Sequence, residues 1–392
     1  MKRITYLSFY YEPDLCAGSF RNTSLVKELS SKAKSQNVII DLYTTMPNRY
    51  NSYTINAPEY EEIGNLIIHR IKLPNHKSGF IDQIISFSKF YFEVLNLNKS
   101  KKSHLVVASS SRLFTAFLGY KIARASKCSL ILDIRDIFVD TMMSILNKKI
   151  RFIILPIIKN IERKTFRYAK HINLISPGFK PYFQDYNLRT NFSFFTNGID
   201  EDFITKDYKI PTETIDHRIK VTYAGNIGEG QGLHKIIPDV AEELKDKFQF
   251  IIYGDGGARS KLASEIDKRC LTNVKIKQPV PRFKLIEAYN SSDYLFLHLN
   301  DYEAFEKVLP SKIFELSTFN KPILAGVSGF AKMFIEQEVK YSFVFKPCDS
   351  ETLVQYLKSH SPNENIERDE FIKKYKRSSV NKNFAKLILN YL

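Results

Sequence analysis

The chain repeats one pattern from end to end: a short apolar run, a glycine-rich or polar loop, then a segment whose apolar residues recur at helical spacing. Strands that alternate with helices build parallel sheets covered on both faces, because parallel neighbours need a crossover and the crossover helix packs back onto the sheet. Apolar runs at 4–10, 38–43, 66–71, 105–109, 130–134, 172–175 and 192–195 predict a first sheet. Runs at 221–224, 250–253, 274–277, 294–299, 322–325 and 342–345 predict a second. The polar stretch 201–218, which contains Pro211, has no period and reads as a linker. A chain of 392 residues is too long for one ordinary core. Two doubly wound α/β domains are expected, 1–205 and 206–375, with 376–392 as a terminal helix. Its stripe of Phe384, Leu387, Ile388 and Tyr391 needs another surface to bury it.

Composition removes several classes. With 44% hydrophobic and 26% charged residues the chain is not a disordered one. The apolar run 152–158 is too short to span a bilayer. Met1-Lys2-Arg3, followed directly by Ile4, reads as a first strand rather than a signal peptide. Cys16, Cys128, Cys270 and Cys348 are scattered without a CxxC pair, which excludes a zinc ribbon and a disulfide scaffold and predicts a reducing, cytoplasmic setting.

The net charge of +16 is unevenly placed: residues 1–200 hold 29 Lys and Arg against 15 Asp and Glu, residues 201–392 hold 29 against 27. Such a basic half suits a polyanion or an anionic surface. Its densest stretch, 148–170, interleaves eight cations and one acid, Glu162, with Phe152, Ile153, Ile154, Leu155, Ile157, Ile158 and Ile161. A second apolar stretch, 80–95, is flanked by Lys77, Lys99, Lys101 and Lys102. Each is either a core helix with a solvated basic face or a helix lying on anionic lipid. The asymmetry between halves favours the membrane surface. Nucleic acid is not an expected partner, since the basic half holds no recognisable nucleic-acid module.

Several loops carry the residue types of a ligand site. After the first strand, Gly18 permits close backbone approach, Ser19 is a candidate helix cap, and Arg21 follows. In the second half Gly225, Gly228, Gly230 and Gly232 crowd one strand-to-helix loop with Asn226 and Gln231. Gly254 and Gly256 form a shorter turn of the same kind. Each is either a tight turn or a backbone cradle for a diphosphate, and their shared sheet edge favours a ligand. Neither a P-loop nor a GxGxxG is present. In Leu309-Pro310-Ser311-Lys312-Ile313-Phe314-Glu315, Pro310 suits the first position of a helix, so Ser311, Lys312 and Glu315 share a face. Lys312 is then a phosphate ligand and Glu315 an acceptor for a ribose diol, or the two form a surface ion pair. Asp133-Ile134-Arg135-Asp136 ends a buried strand, where charges are costly unless paired or facing a cleft. It is either an acceptor-orienting carboxylate or an Asp–Arg structural pair. Asp200-Glu201-Asp202 reads as a solvated turn rather than a metal site. No metal ligand set is expected.

In order, Gly18, Asp133 to Asp136, Thr196-Asn197-Gly198-Ile199-Asp200, Ala224-Gly225-Asn226-Ile227-Gly228, Gly254-Asp255-Gly256 and Pro310-Ser311-Lys312-Ile313-Phe314-Glu315 resemble the GT-B glycosyltransferases of family 4, most of all bacterial members for O-antigen and capsule. The resemblance covers almost the whole chain. It implies two Rossmann-like domains facing a central cleft, with a C-terminal helix crossing back. It implies a nucleotide-sugar donor, expected to be UDP-linked, held by the second domain through Gly225, Asn226, Gly228, Gln231, Gly254, Gly256, Ser311, Lys312 and Glu315. The acceptor, a polyprenyl-diphosphate-linked glycan at the inner face of the cell membrane, falls to Gly18, Ser19, Arg21, Asp133 and Arg135. Transfer would retain configuration with no metal or other cofactor, and Asp136, Lys312 and Glu315 are the expected catalytic residues. Glu315 matches the second glutamate of the family's E-x7-E motif. The first falls on Lys307, with Glu303 and Glu306 nearby, and the diphosphate-neutralising Arg and Lys fall on Asn226 and Gln231. An epimerase on the same scaffold would need no acceptor. A basic binding module would ignore nucleoside diphosphates.

Overall fold

The computed structural model describes residues 1–14, 16–48, 56–74, 80–110, 113–137, 139, 148–186, 189–205, 217–362 and 366–392. It divides into two compact units, Met1–Asn197 with Arg377–Leu392, and Gly198–Lys376.

The first unit holds a sheet of β1 (Lys2–Ser8), β2 (Val38–Thr45), β3 (Tyr60–Ile63), β4 (Leu66–Ile71), β5 (Leu105–Ser110), β6 (Ser129–Ile134), β7 (His171–Leu174) and β8 (Asn191–Ser193). Their order is β3-β4-β2-β1-β5-β6-β7-β8. All neighbours are parallel except the β3–β4 pair, an antiparallel edge that the apolar runs did not announce because Tyr60, Glu61 and Glu62 read as loop. Winding reverses between β1 and β5, so the loops leaving those strands stand at a topological switch point. β5 is buried along its whole length and β1 from Ile4 to Ser8, the pattern of strands covered on both faces.

Helix α1 (Ala17–Lys34) buries Leu25, Val26 and Leu29 against this sheet. The C-terminal helix Arg377–Leu389 lies beside it, with Phe384, Ala385 and Ile388 in the same cluster. The Phe384 ring stacks on Phe195 at 4.9 Å between centroids, and Tyr391 Oη is 3.0 Å from His171 Nδ1. The terminal stripe therefore finds its surface in the first unit. Leu387 and Tyr391 are only half-buried.

The second unit holds β9 (Ile219–Ala224), β10 (Phe248–Tyr253), β11 (Val274–Lys277), β12 (Tyr294–His298), β13 (Ile323–Gly326) and β14 (Ser342–Phe345), in the order β11-β10-β9-β12-β13-β14. Every pair is parallel. Its switch point lies between β9 and β12, which pair only through Tyr294 and Leu295 before diverging. Residues 198–205 go with this unit: Ile199 and Phe203 enter the core of Ile313 and Phe314, and the Ile199 N–H donates to the Tyr375 carbonyl at 2.8 Å. Of the expected linker, 206–216 lies outside the described residues.

Candidate functional site

In the second unit, β9 and β10 run in register with Ala224 beside Tyr253, so the next residues, Gly225 and Gly254, meet at the sheet edge. Both adopt positive φ, 156° and 154°, and a Cβ at position 254 would collide with the Gly225 carbonyl. Only glycine fits that approach. The loop from Gly225 to Gly232 is then sculpted by the end of β12. His298 Nδ1 is 2.6 Å from the Gln231 carbonyl, Asn300 Nδ2 donates to the Glu229 carbonyl at 2.7 Å, and the Asn300 N–H donates to the Gly230 carbonyl. These two residues and Lys235, whose Nζ donates to Asn300 Oδ1 at 3.0 Å, were missed in the sequence. For His298 and Asn300 the signal was available as polar residues at the end of an apolar strand at a switch point; Lys235, inside helix Leu233–Glu243, carried none.

The glycine amides are not the open cradle expected of them. Gly225 N–H donates to the Tyr253 carbonyl, Gly254 N–H to the Lys277 carbonyl, Gly228 N–H to Gln231 Oε1 and Gly256 N–H to Asp255 Oδ1. A strand-end glycine keeps its amide in the ladder or the turn, so spacing alone overstates what such a loop offers an anion. The Gly228 bond is the weakest of these at 3.3 Å, and Asn226 Nδ2 also donates to Gln231 Oε1 at 2.7 Å. Gln231 thus caps the Gly228 N–H itself, and Asn226 holds the Gln231 amide oxygen in place.

Positive charge comes from Lys312 instead. A Cβ at position 225 would stand 2.5 Å from Lys312 Cε and 3.4 Å from its Nζ, so the lysine lies over the bare face of Gly225. Helix Lys312–Leu316 starts two residues later than Pro310 suggested, with Ser311 at its cap. Lys312 Nζ is 3.8 Å from Glu315 Oε2, and both side chains are about a quarter exposed at 26% and 27%. Spacing had paired Lys312 with Glu315, and the structure sets that pair beside the Gly225 loop. Beneath them lies Tyr289, whose hydroxyl is buried without a protein partner. Burial, and then the Glu315 charge, push its ionisation far up. The turn Glu303–Lys307, where the motif's first glutamate was sought, exposes Glu303 and Glu306.

His298 makes this edge sensitive to acid. Its Nε2 accepts the Cys348 N–H at 3.0 Å while Nδ1 donates to Gln231, so the ring is neutral. Burial pushes its pKa down from 6.5 to about 4. The unfolded chain then binds the proton that the folded one refuses, so stability is present above pH 6.5 and lost as pH falls toward about 4. From pH 7 to pH 5 the second unit should lose about 2 kcal/mol through this residue. Urea unfolding followed at both pH values should show the loss in the parent chain and a smaller one in His298→Gln. An equal loss in both removes His298 as the cause.

In the first unit the expected acceptor residues divide into two groups. Arg21 and Asp133 are buried, 1% and 0% exposed, and bonded to one another through two contacts of 3.1 and 3.0 Å. Arg21 also donates to the Thr196 and Phe195 carbonyls, and Asp133 also accepts from Ser109 and Asn173. Burial alone would raise the Asp133 carboxyl, but the Arg21 charge and these hydrogen bonds hold it below the ordinary carboxylate range. Every polar atom of the pair is occupied, so it braces β6 against α1 and does not reach an acceptor.

Ser19 does not cap α1 either. Cys16 Sγ accepts the Ser19 N–H at 3.4 Å, and the Ser19 hydroxyl is buried with no protein partner. A Cβ at position 18 would meet Arg135 Nη1 at 2.5 Å and Nη2 at 2.9 Å, so the guanidinium lies over the bare face of Gly18. Gly18, Ser19 and Arg135 therefore form one corner at the helix start. Asp136 is exposed and lines a crevice with Ser110, Ile137, Glu162 and Tyr182. Glu162, missed as a site residue because it read as the lone acid of a basic helix, is buried and accepts the Tyr182 hydroxyl at 2.8 Å and the Tyr186 hydroxyl. Burial pushes its carboxyl up against those bonds. Among the described residues no group of three or more His, Cys, Asp or Glu is arranged to hold a metal ion, and no helix is long and apolar enough to cross a membrane.

Residues 206–378 match the family model described as Glycosyl transferases group 1. Over 99 residues, 25% of the chain, the sequence is 32% identical to WcaI, described as a colanic acid biosynthesis glycosyl transferase, of Escherichia coli K12. That match spans 24% of the length of WcaI. Among solved structures, the trehalose-6-phosphate synthase OtsA aligns over 100% of both chains with a TM-score of 0.71 and 11% identity. WaaG, a glycosyltransferase involved in lipopolysaccharide biosynthesis, aligns over 98% of this chain and 95% of its own with a TM-score of 0.62 and 14% identity. Anabaena HepE in complex with UDP-glucose aligns over 100% and 97%, with a TM-score of 0.60 and 14% identity. Such likeness at low identity shows the fold, which is α/β of the GT-B kind with two Rossmann-like halves.

Proposed function

We propose that the chain is a retaining glycosyltransferase that moves a sugar from a nucleoside-diphosphate donor, UDP-linked, to a lipid-linked glycan acceptor in surface polysaccharide synthesis. The observation that carries this reading is Lys312 laid over Gly225 at the switch point of the second sheet, within the segment that matches the glycosyltransferase model. Open α/β sheets bind ligands at such edges. The pairing of Lys312 with Glu315 supports one pole for phosphate and one for a ribose diol, a helical turn apart.

As the glycosidic bond breaks, negative charge grows on the leaving diphosphate and positive charge on the sugar ring. Lys312 stabilises the first. A diphosphate oxygen entering the loop takes the Gly228 N–H in place of Gln231 Oε1, and the displaced side chains of Asn226 and Gln231 turn their own N–H groups to it. The leaving phosphate oxygen accepts the acceptor's proton, so the reaction needs no dedicated base. The Gly18–Arg135 corner and the Asp136 crevice of the first unit are the acceptor's side of the reaction, with Arg21 and Asp133 as its support. A lipid-linked acceptor sets the enzyme at the inner membrane face. The segments expected to be basic and apolar belong to that same unit.

A thermal-shift screen across nucleoside diphosphates and their sugars should give stabilisation by one base above the others. Glu315→Ala should then raise the donor KM by about ten- to a hundredfold, the worth of charged hydrogen bonds to a diol, with the melting temperature unchanged. An unchanged KM with the selected donor refutes the ribose role of Glu315. Conversion of the nucleotide sugar without acceptor points instead to an epimerase.

A further inference from the structure

We infer that the outward stripe of helix Lys148–Tyr168, with the neighbouring helix Phe80–Asn98, is a docking face for an anionic lipid bilayer. On the first helix Phe152, Ile153, Pro156, Ile157, Asn160, Arg163, Lys164 and Arg167 are all exposed, and at 100° per residue they fall within an arc of about 140°. The opposite side, with Ile158, Glu162, Thr165 and Phe166, is buried. The exposed stripe is therefore divided along its length rather than around its girth. Its first half is apolar, with Phe152 at 83%, Ile153 at 68% and Ile157 at 58% exposed. Its second half is cationic.

A soluble helix spends its apolar residues on the core and leaves single ones outside. Three large apolar side chains on one stripe, continued by three cations, need an environment that is oily at one end and anionic at the other. The interfacial zone of a bilayer supplies both, since apolar side chains enter the acyl boundary while Lys and Arg stay with the phosphates. Among the described residues no carboxylate is paired with Arg163 or Lys164, so their charge is open to an outside partner.

A second helix extends the face. Helix Phe80–Asn98 exposes Ile84, Ile85 and Phe92, and helix Leu113–Ser126 packs against both it and Lys148–Tyr168. The three form one layer, so the exposed apolar groups of the outer two open on the same side of the sheet. A second copy of the chain does not fit this face, because two surfaces from a protein of net charge +16 would oppose cation to cation.

The test is co-sedimentation of the full chain with vesicles of phosphatidylcholine alone and of phosphatidylcholine with about one third phosphatidylglycerol. Binding to the anionic vesicles only, weakened by salt, is expected. Arg163→Ala with Lys164→Ala should weaken it about thirtyfold. Phe152→Ser with Ile157→Ser should weaken it at least about tenfold. Both pairs are exposed, so their melting temperatures should match the parent chain. Equal binding to both vesicles, no binding, or parent-like binding by both double variants overturns the inference. So does a dimer in analytical ultracentrifugation that the apolar pair dissolves while vesicle binding is absent. Vesicle binding needs no nucleotide sugar and no turnover, so its outcome is separate from that of the transfer reading.

Discussion

Lys312→Ala should lower kcat/KM about a hundred- to a thousandfold, the usual loss when a preorganised group facing developing charge is removed. The fold should survive. The ion pair it breaks, at 3.8 Å to a Glu315 carboxylate in contact with solvent, is of the kind that contributes little to stability. Lys312→Arg should not restore full activity, because the lysine stem fits the bare face of Gly225 and a guanidinium is broader and planar. Gly225→Ala should reproduce part of the loss, since the new methyl group displaces Cε. Lys307→Ala, on the turn Glu303–Lys307, should cost less than about tenfold, because it is Lys312 that lies over Gly225. Steady-state kinetics with the donor chosen by thermal shift, alongside melting temperatures, decide the point. A larger loss from Lys307→Ala than from Lys312→Ala would relocate the diphosphate.

The second large effect concerns stability. Arg21→Ala should destabilise the first unit by about 3–5 kcal/mol, because it removes the charge partner of the buried Asp133 carboxylate and leaves the Thr196 carbonyl without its donor. Arg21→Lys should recover little of this, as a lysine cannot reach the carboxylate through two contacts and the carbonyls as well. Removing both charges, Arg21→Met with Asp133→Leu, should be milder than Arg21→Ala alone. The sequence contains no tryptophan, so unfolding is best followed by circular dichroism in urea. The pair also has a pH signature. The Asp133 carboxyl is held below its ordinary range in the folded state, so its contribution is complete above that range and disappears as pH falls through it. The Arg21→Ala chain should lack that part of the acid sensitivity.

The architecture was legible because its signal is long-range and redundant: thirteen apolar runs in alternation with helical segments leave few ways to pack. The β3–β4 edge escaped because edge strands carry polar residues, as Glu61 and Glu62 do. The proximity of Lys312 and Glu315 was legible from spacing, since helical neighbours are fixed by geometry. The state of the glycine amides was not, because whether Gly228 N–H meets solvent or Gln231 depends on a side-chain rotamer. The roles of Arg21 and Ser19 were misread for a related reason. A charged residue near a strand end looks the same in sequence whether it faces a ligand or a buried partner, and only the Arg21–Asp133 geometry distinguishes them. His298 and Asn300 act through backbone carbonyls, which no residue code records.

Because helix Arg377–Leu389 supplies Phe384, Ala385 and Ile388 to the core around Leu25, Leu29 and Ile4, the first unit is assembled from both ends of the sequence. During synthesis its amino-terminal part must wait, with that apolar groove uncovered, while all of residues 198–376 are made. The ribosome thus delivers the second unit, contiguous in sequence, before the first can close. A fragment ending at Asn197 would carry the open groove permanently, so the natural unit for separate expression is Gly198–Lys376.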